Sequence, residues 1–289
     1  MTGLAGSAAR DGQRAVDVVA GRAVHELGGV VVHCTWSAAT HVGLVRRINQ
    51  DAFRVADMVY VVCDGMGGHS GGEIASRISV HALAELPDPA RRTTRDVMTA
   101  FDRAHELVEG AAAERVEIAG MGSTGAVIAL GVLEGGPSAL VANLGDTRVY
   151  FIGAAGLQQI SVDHTVVQEL LDAGSITSDQ VEGHPQRSVL TGAIGGGEPA
   201  QAELRTVPLG HHTRFLLTTD GIHAAVSDTL LATLASIGEP DAVVARVMAA
   251  GFDAGAPDNL TCLVLDVTAE TPTPLEESTL PRAPRGAGS

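Results

Sequence analysis

Apolar residues along this chain fall into short blocks with two different periods. Val30 to Ala39 is apolar and β-branched, which predicts a strand. Met58 to Cys63 is a continuous apolar run ending at Asp64, the pattern of a strand buried on both faces. Gly72 to Leu86 carries Ile74, Ile78, Val80 and Leu83 at helical spacing. Asp96 to Ile118 predicts a longer helix, with Val97, Phe101, Leu107 and Val108 on one side. Strands then return at Ser123–Val132, Ser138–Leu144 and Arg148–Gly153, the last two joined by the turn Gly145-Asp146-Thr147. Asp163 to Gly174 is a helix, and Ser175 to Gly197 is rich in loop residues. Phe215 to Thr219 is a strand ending on Asp220. Asp228–Ser236 and Asp241–Ala250 are helices opened by an aspartate that suits the helix dipole, and Leu260–Val267 closes the series as a strand.

This order gives strands, two helices, strands, two helices and a strand. Strands joined by short turns imply mostly antiparallel sheets. The expected fold is therefore α+β, a four-layer α-β-β-α sandwich with two central sheets and helix pairs outside. The body spans residues 30–268. Residues 1–29 are expected to be an appended N-terminal arm, with a short helix from Arg14 to Leu27. Residues 269–289 hold four prolines and few large apolar groups, and are expected to be a disordered tail.

Composition narrows the classes. The 289 residues include 45% hydrophobic and 18% charged, enough for one large core. The net charge of −15 argues against nucleic acid and anionic membrane surfaces as partners. All 19 basic residues are arginines, so P-loop, Schiff-base and kinase-type lysines are excluded. Cys34, Cys63 and Cys262 lie within predicted strands without metal-ligand spacing, which reads as buried reduced thiols in a cytosolic protein. No apolar run reaches the ~20 residues of a membrane helix, and no signal-peptide pattern opens the chain.

The candidate chemistry lies in aspartates at strand ends: Asp51, two residues after Asn49, and Asp64, Asp220 and Asp258, each followed by glycine or asparagine. Oxygen ligands of this kind suit magnesium or manganese. The segment Asp64-Gly65-Met66-Gly67-Gly68-His69-Ser70-Gly71-Gly72 admits three readings. A dinucleotide fingerprint is disfavoured, because its last glycine is replaced by Ser70 and Asp64 would repel a pyrophosphate. A serine-hydrolase elbow on Ser70 is weakened by the four residues between the strand end and Gly68. A metal site needs a carboxylate and a closely approaching carbonyl, which Asp64 and Gly65 supply. A plain glycine-rich loop is the bland alternative. Any one Asp-Gly is usually a turn, but several at strand ends far apart in sequence favour the metal site.

Residues 40–51, Thr40-His41-Val42-Gly43-Leu44-Val45-Arg46-Arg47-Ile48-Asn49-Gln50-Asp51, resemble the opening motif of the metal-dependent (type 2C, PPM) serine/threonine protein phosphatases in their bacterial form. Asp64 to His69 resembles the second motif. Gly122-Ser123-Thr124, Asn143 to Arg148, Asp163-His164-Thr165, Thr219-Asp220-Gly221 and Asp258 to Thr261 follow in family order.

The resemblance implies a phosphatase catalytic domain over residues 30–268. Phosphoserine and phosphothreonine would be hydrolysed by direct attack of a metal-bridging hydroxide. It implies two manganese or magnesium ions. Asp64 would bridge them, with the Gly65 carbonyl, Asp220 and Asp258 as further ligands and Asp51 supporting through water. Arg46 would grip the substrate phosphate, and His69 would be the general acid. The implied partners are phosphorylated proteins, substrates of serine/threonine kinases, met by a cytoplasmic monomer. Three departures from the family pattern stand out. Ala224 replaces the aspartate that, with Asp146 and Asp220, holds a third metal, so that site is expected to be weak or missing. His41 replaces an aspartate, and Gly192 replaces an arginine in the flap His184–Gly192. Two alternatives stay open: a pseudophosphatase acting as a binding module, suggested by Ala224, and the hydrolase on Ser70.

Overall fold

The computed structural model describes residues 16–67, 70–133 and 136–270. In chain order its elements are β1 (Asp17–Leu27), β2 (Val30–His41), β3 (Asp51–Ala56), β4 (Val59–Met66), α1 (Gly71–Ala84) and α2 (Thr94–Ala113). Then come β5 (Gly122–Ser123), β6 (Gly125–Leu133), β7 (Gly136–Leu144), β8 (Arg148–Gly153), β9 (Gly156–Gln159), α3 (Val166–Asp172) and α4 (Ser178–Val181). β10 (Ile194–Gly195), β11 (Glu203–Pro208), β12 (Thr213–Thr218), α5 (Asp220–His223), α6 (Asp228–Ala235), α7 (Pro240–Asp253) and β13 (Leu260–Glu270) complete the series.

The strands form two antiparallel sheets. One has the order β1-β2-β13-β12-β8-β9; the other has β10-β5-β4-β6-β7-β11, with β3 also on β4. Leu263, Leu265 and Phe215 of the first sheet share a core with Tyr60, Val62 and Ile128 of the second. On the far side of β4 and β6, Val61 and Val127 pack against Leu83 of α1 and Phe101 of α2. Outside the first sheet, Leu216 and Val264 pack on Leu231 of α6 and Val243 and Val247 of α7. The layers are thus α-β-β-α, as expected. Alternate residues of β6 serve different cores: Ala126 and Ile128 the inner one, Val127 and Ala129 the outer. Burial on both faces is why the central strands read as unbroken apolar runs.

Capping fixes the helix starts. The Thr93 hydroxyl accepts from the Asp96 N–H, and the Asp96 carboxylate accepts from the Thr93 N–H, a reciprocal box that opens α2. The apolar face of α2 is Val97, Ala100, Phe101, Ala104 and Val108; Leu107 points outward and is exposed. Arg92 is buried just before this helix and donates to the carbonyls of Met58, Leu130, Asp57 and Pro87.

One expectation fails. Within the helix expected over residues 14–27, the described part is no helix: Asp17–Leu27 is a strand paired residue for residue with β2. Residues 17–20 of the strand are all exposed, exposed and half-buried positions alternate from Gly21, and the strand lies on a sheet edge. The arm expected over residues 1–29 therefore carries an edge strand from Asp17 onward. Residues 1–15, and the expected tail from 271, lie outside the described residues. All three cysteines are buried and unpaired, as predicted; burial pushes the Cys34 thiol up to about 11 and the Cys262 thiol to about 12. Among the described residues no helix is long and apolar enough to cross a membrane.

Candidate active site

The two sheets open at one end into a cleft of about 580 Å³. Asp64, Asp146, Asp220 and Asp258 line it together with Arg46 and Gly65. Of the described site residues the sequence singles out, only Asp51 is not on its wall. Asp51 lies directly behind Asp64, its register partner across β3 and β4. His69, with Gly68, lies outside the described residues.

Each carboxylate is placed by its strand. Asp64 sits near the end of β4, where its N–H donates to the Thr124 hydroxyl and its carbonyl accepts from the Thr124 N–H and the Ser123 hydroxyl. The Thr124 hydroxyl also meets that of Thr147 beside Asp146, so two cleft aspartates rest on one threonine pair. Asp220 begins α5 directly after β12. Asp258 stands in the bend before β13, its Oδ1 accepting from the Asn259 N–H. Glycine is required beside two of them. A β-carbon on Gly65 would run into the Gly72 carbonyl, and one on Gly221 into the Asn259 carbonyl.

Burial and crowding set the electrostatics. Desolvation, then repulsion from Asp220 and Asp258, pushes the Asp51 carboxyl up to about 7, against hydrogen bonds from Thr261 and Thr219. Asp146 is also pushed up to about 7, by burial and then by Asp220 and Asp163. Asp64 is driven well above the usual carboxylate range by burial and by its four acidic neighbours. Burial raises Asp220 too, opposed by its hydrogen-bonded contact with Asp64. Such a set is unstable as bare anions and needs positive charge.

One guanidinium answers part of that need. Arg46 Nη2 donates to Asp258 Oδ2 at 2.7 Å. The loop carrying Arg46 is held by Asn259, whose Nδ2 donates to the Val42 and Ile48 carbonyls and whose Oδ1 accepts from the Gln50 N–H. Asn259 was visible in the sequence only as part of the Asp258 motif. Its clamping role depends on a contact across 209 to 217 positions that no local pattern carries.

The donor set fits hard divalent cations. It offers carboxylate oxygens and the Gly65 carbonyl, and Asp51 Oδ1 is buried without a hydrogen-bond partner. Among the described residues, no three acidic, histidine or cysteine side chains close around one ion position as they stand, and Arg46 still occupies Asp258.

The three departures have structural readings. Ala224 caps the end of α5, its N–H donating to the Asp220 carbonyl, and its methyl group supplies no ligand near Asp146. His41 is buried at the end of β2, accepting from the Gly43 N–H and stacked edge-on against Phe252. Gly192 is buried on the cleft wall, where a β-carbon would press on Leu144, Ala200 and His164. Ser70 is the exposed residue preceding α1 and is not among the described residues that line the cleft.

Comparison with known proteins agrees with this geometry. The family model described as Protein phosphatase 2C matches residues 44–259. Serine/threonine protein phosphatase PstP of Mycobacterium tuberculosis is 34% identical over 237 residues, covering 80% of this chain and 45% of PstP, so the chain spans about half the length of that relative. Protein phosphatase PhpP of Streptococcus pneumoniae is 30% identical over 249 residues, covering 81% of this chain and 98% of PhpP. The crystal structure of the M. tuberculosis PstP phosphatase superposes with a TM-score of 0.74 at 31% identity, over 81% of this chain and 98% of that one. The PstP catalytic domain in complex with two manganese ions gives 0.75 at 28% identity, over 82% and 99%. The cleft, the order of its motifs and these matches agree: the chain belongs to the protein phosphatase 2C family.

Proposed function

We propose that this chain is a divalent-cation-dependent serine/threonine protein phosphatase. It would hydrolyse phosphoserine and phosphothreonine in proteins phosphorylated by serine/threonine kinases, acting as a cytoplasmic monomer. One observation carries the reading: four carboxylates and one guanidinium from distant parts of the chain meet in a single cleft.

Asp64, Asp220, Asp258 and the Gly65 carbonyl would hold two manganese or magnesium ions, with Asp51 supporting from behind. When bound, such ions lower the pKa of water and neutralise phosphoryl oxygens. Arg46 binds the phosphate, because its planar fork matches two of the oxygens. Asn259 keeps the Arg46 loop in place. His69 is assigned the proton that the departing serine or threonine oxygen requires, and imidazole titrates near the pH where that transfer is efficient. Water attacks phosphorus directly, so no side chain of this protein becomes phosphorylated. Asp146 and Asp220 alone would face a third cation, since Ala224 offers no oxygen.

The test is phosphate release from phosphoserine and phosphothreonine peptides with manganese, beside the same protein in EDTA. Release that needs manganese supports the reading. A folded protein inert toward every phosphopeptide at any manganese concentration would leave the binding-module alternative standing.

A further inference from the structure

Five acidic side chains line the cleft: Asp64, Asp146, Asp220, Asp258 and Glu198. The four aspartates occupy the floor, where two divalent cations would balance their charge. Arg46, the one arginine among the described lining residues, is committed to the phosphate in the reading above. Glu198 is left over. It stands exposed on the flap side of the wall, beside Gly195, Gly196 and small neighbours with no charge of their own.

Its position is built. Gly195, Gly196 and Gly197 have φ of 73°, 74° and 139°, a left-handed run that only glycine takes without strain. Helix α2 clamps this run from outside. His105 Nδ1 accepts from the Gly195 N–H at 3.0 Å, and one turn further along, Glu109 Oε1 accepts from the Gly197 N–H at 3.2 Å. Ile194 and Gly195 also pair with Ser123 and Gly122 of β5. The backbone entering Glu198 is thus pinned to a helix and a sheet.

We propose that Glu198 is a specificity residue that selects phosphoproteins with a basic side chain close to the phosphorylated serine or threonine. The inference rests on the phosphatase reading of the same cleft. A basic flank finds an unneutralised carboxylate on the wall beside the phosphate. An acidic flank meets repulsion from Glu198 there. The chain's net charge of −15 extends the same preference over longer range.

The test compares two fluorescent peptides, identical except for arginine or glutamate flanking the phosphorylated position, each carrying a non-hydrolysable phosphonate. Binding is measured by anisotropy on the full chain with manganese, while turnover of the parent phosphopeptides separately reports whether the chain is a phosphatase. An exposed charge pair gives about a two- to five-fold preference for arginine, shrinking as salt is raised. Glu198→Gln should bring the ratio toward one, and Glu198→Lys should reverse it. Because both peptides meet one protein preparation, general damage cancels from the ratio. Equal binding of the two peptides by the wild type, no binding of either, or a ratio unchanged in Glu198→Gln would overturn the proposal whether or not turnover is seen.

Discussion

Arg46 lies on Asp258: Nη2 donates to Oδ2 at 2.7 Å, so the side chain assigned to phosphate rests on a side chain assigned to a cation. Its guanidinium is held charged first by that hydrogen bond and then by the charge of Asp258, with Asp220 and Asp64 adding to it. A cation taken up at Asp258 competes with Arg46 for that carboxylate, and its displacement would free the guanidinium for substrate.

It follows that Arg46→Gln should bind manganese more tightly than the wild type in the absence of substrate. Arg46 is more than half exposed, so solvent screens the pair and the gain is small, about two- to five-fold. The same variant should show a raised KM for phosphopeptides. Isothermal titration of the metal-free protein decides it; unchanged or weaker manganese binding counts against the displacement.

The raised carboxyl groups give the metal-free protein a pH dependence of definite sign. Asp146 titrates near 3.8 when unfolded and at about 7 when folded. Folding therefore binds a proton between these values. The stability linked to the neutral form is complete below about pH 4 and is lost as pH rises through 7. Asp146→Asn, which carries no charge, should then be more stable than the wild type at pH 8 in EDTA, by roughly 2 kcal/mol. At pH 4 the two should melt together. Calorimetry at both pH values checks this, and an Asn variant less stable than the wild type at pH 8 would contradict it.

Asn259→Ala removes three hydrogen bonds that fasten the Arg46 loop and takes a partner from the buried Val42 carbonyl, the part-buried Ile48 carbonyl and the Gln50 N–H. We expect a loss of about 2–4 kcal/mol in urea unfolding. Among molecules that remain folded, KM should rise more than kcat falls, because the phosphate clamp loses its position. A KM equal to that of the wild type would remove Asn259 from the positioning role.

Ala224 predicts two tight cation sites and no tight third. Titration of the wild type with manganese should saturate at two equivalents in the micromolar range. Ala224→Asp should add a third equivalent, since it restores a carboxylate one helical turn from Asp220. Three tight equivalents in the wild type would refute the prediction.

The sequence made the interior of this fold easy to read and its margins hard. β4 and β6 are buried on both faces, so Val59–Cys63 and Gly125–Val132 appear as unbroken apolar runs. β1 and β11 are edge strands: β1 leaves Val18, Val19 and Val24 exposed beside Arg22 and Glu26, and β11 exposes Glu203, Arg205, Thr206 and Pro208 with only Leu204 and Val207 half-buried. Nothing in such a segment distinguishes a sheet edge from a loop until its partner is known. The cleft shows the same division. Asp64, Asp220 and Asp258 announce themselves beside glycine or asparagine at strand ends. The Thr124–Thr147 pair, the Asn259 clamp and the Glu109 contact to Gly197 join residues far apart in sequence and carry no local mark.

The central claim is that the cleft carboxylates hold cations that the reaction requires. The most direct measurement is p-nitrophenyl phosphate hydrolysis with manganese and with EDTA, wild type beside Asp220→Asn, with folding of both confirmed by circular dichroism. The account predicts activity that requires manganese and falls at least 100-fold in Asp220→Asn, on the order of the loss seen when one transition-state stabilising group is removed. Wild-type activity that survives EDTA, or a folded Asp220→Asn protein with near-normal turnover, would contradict it.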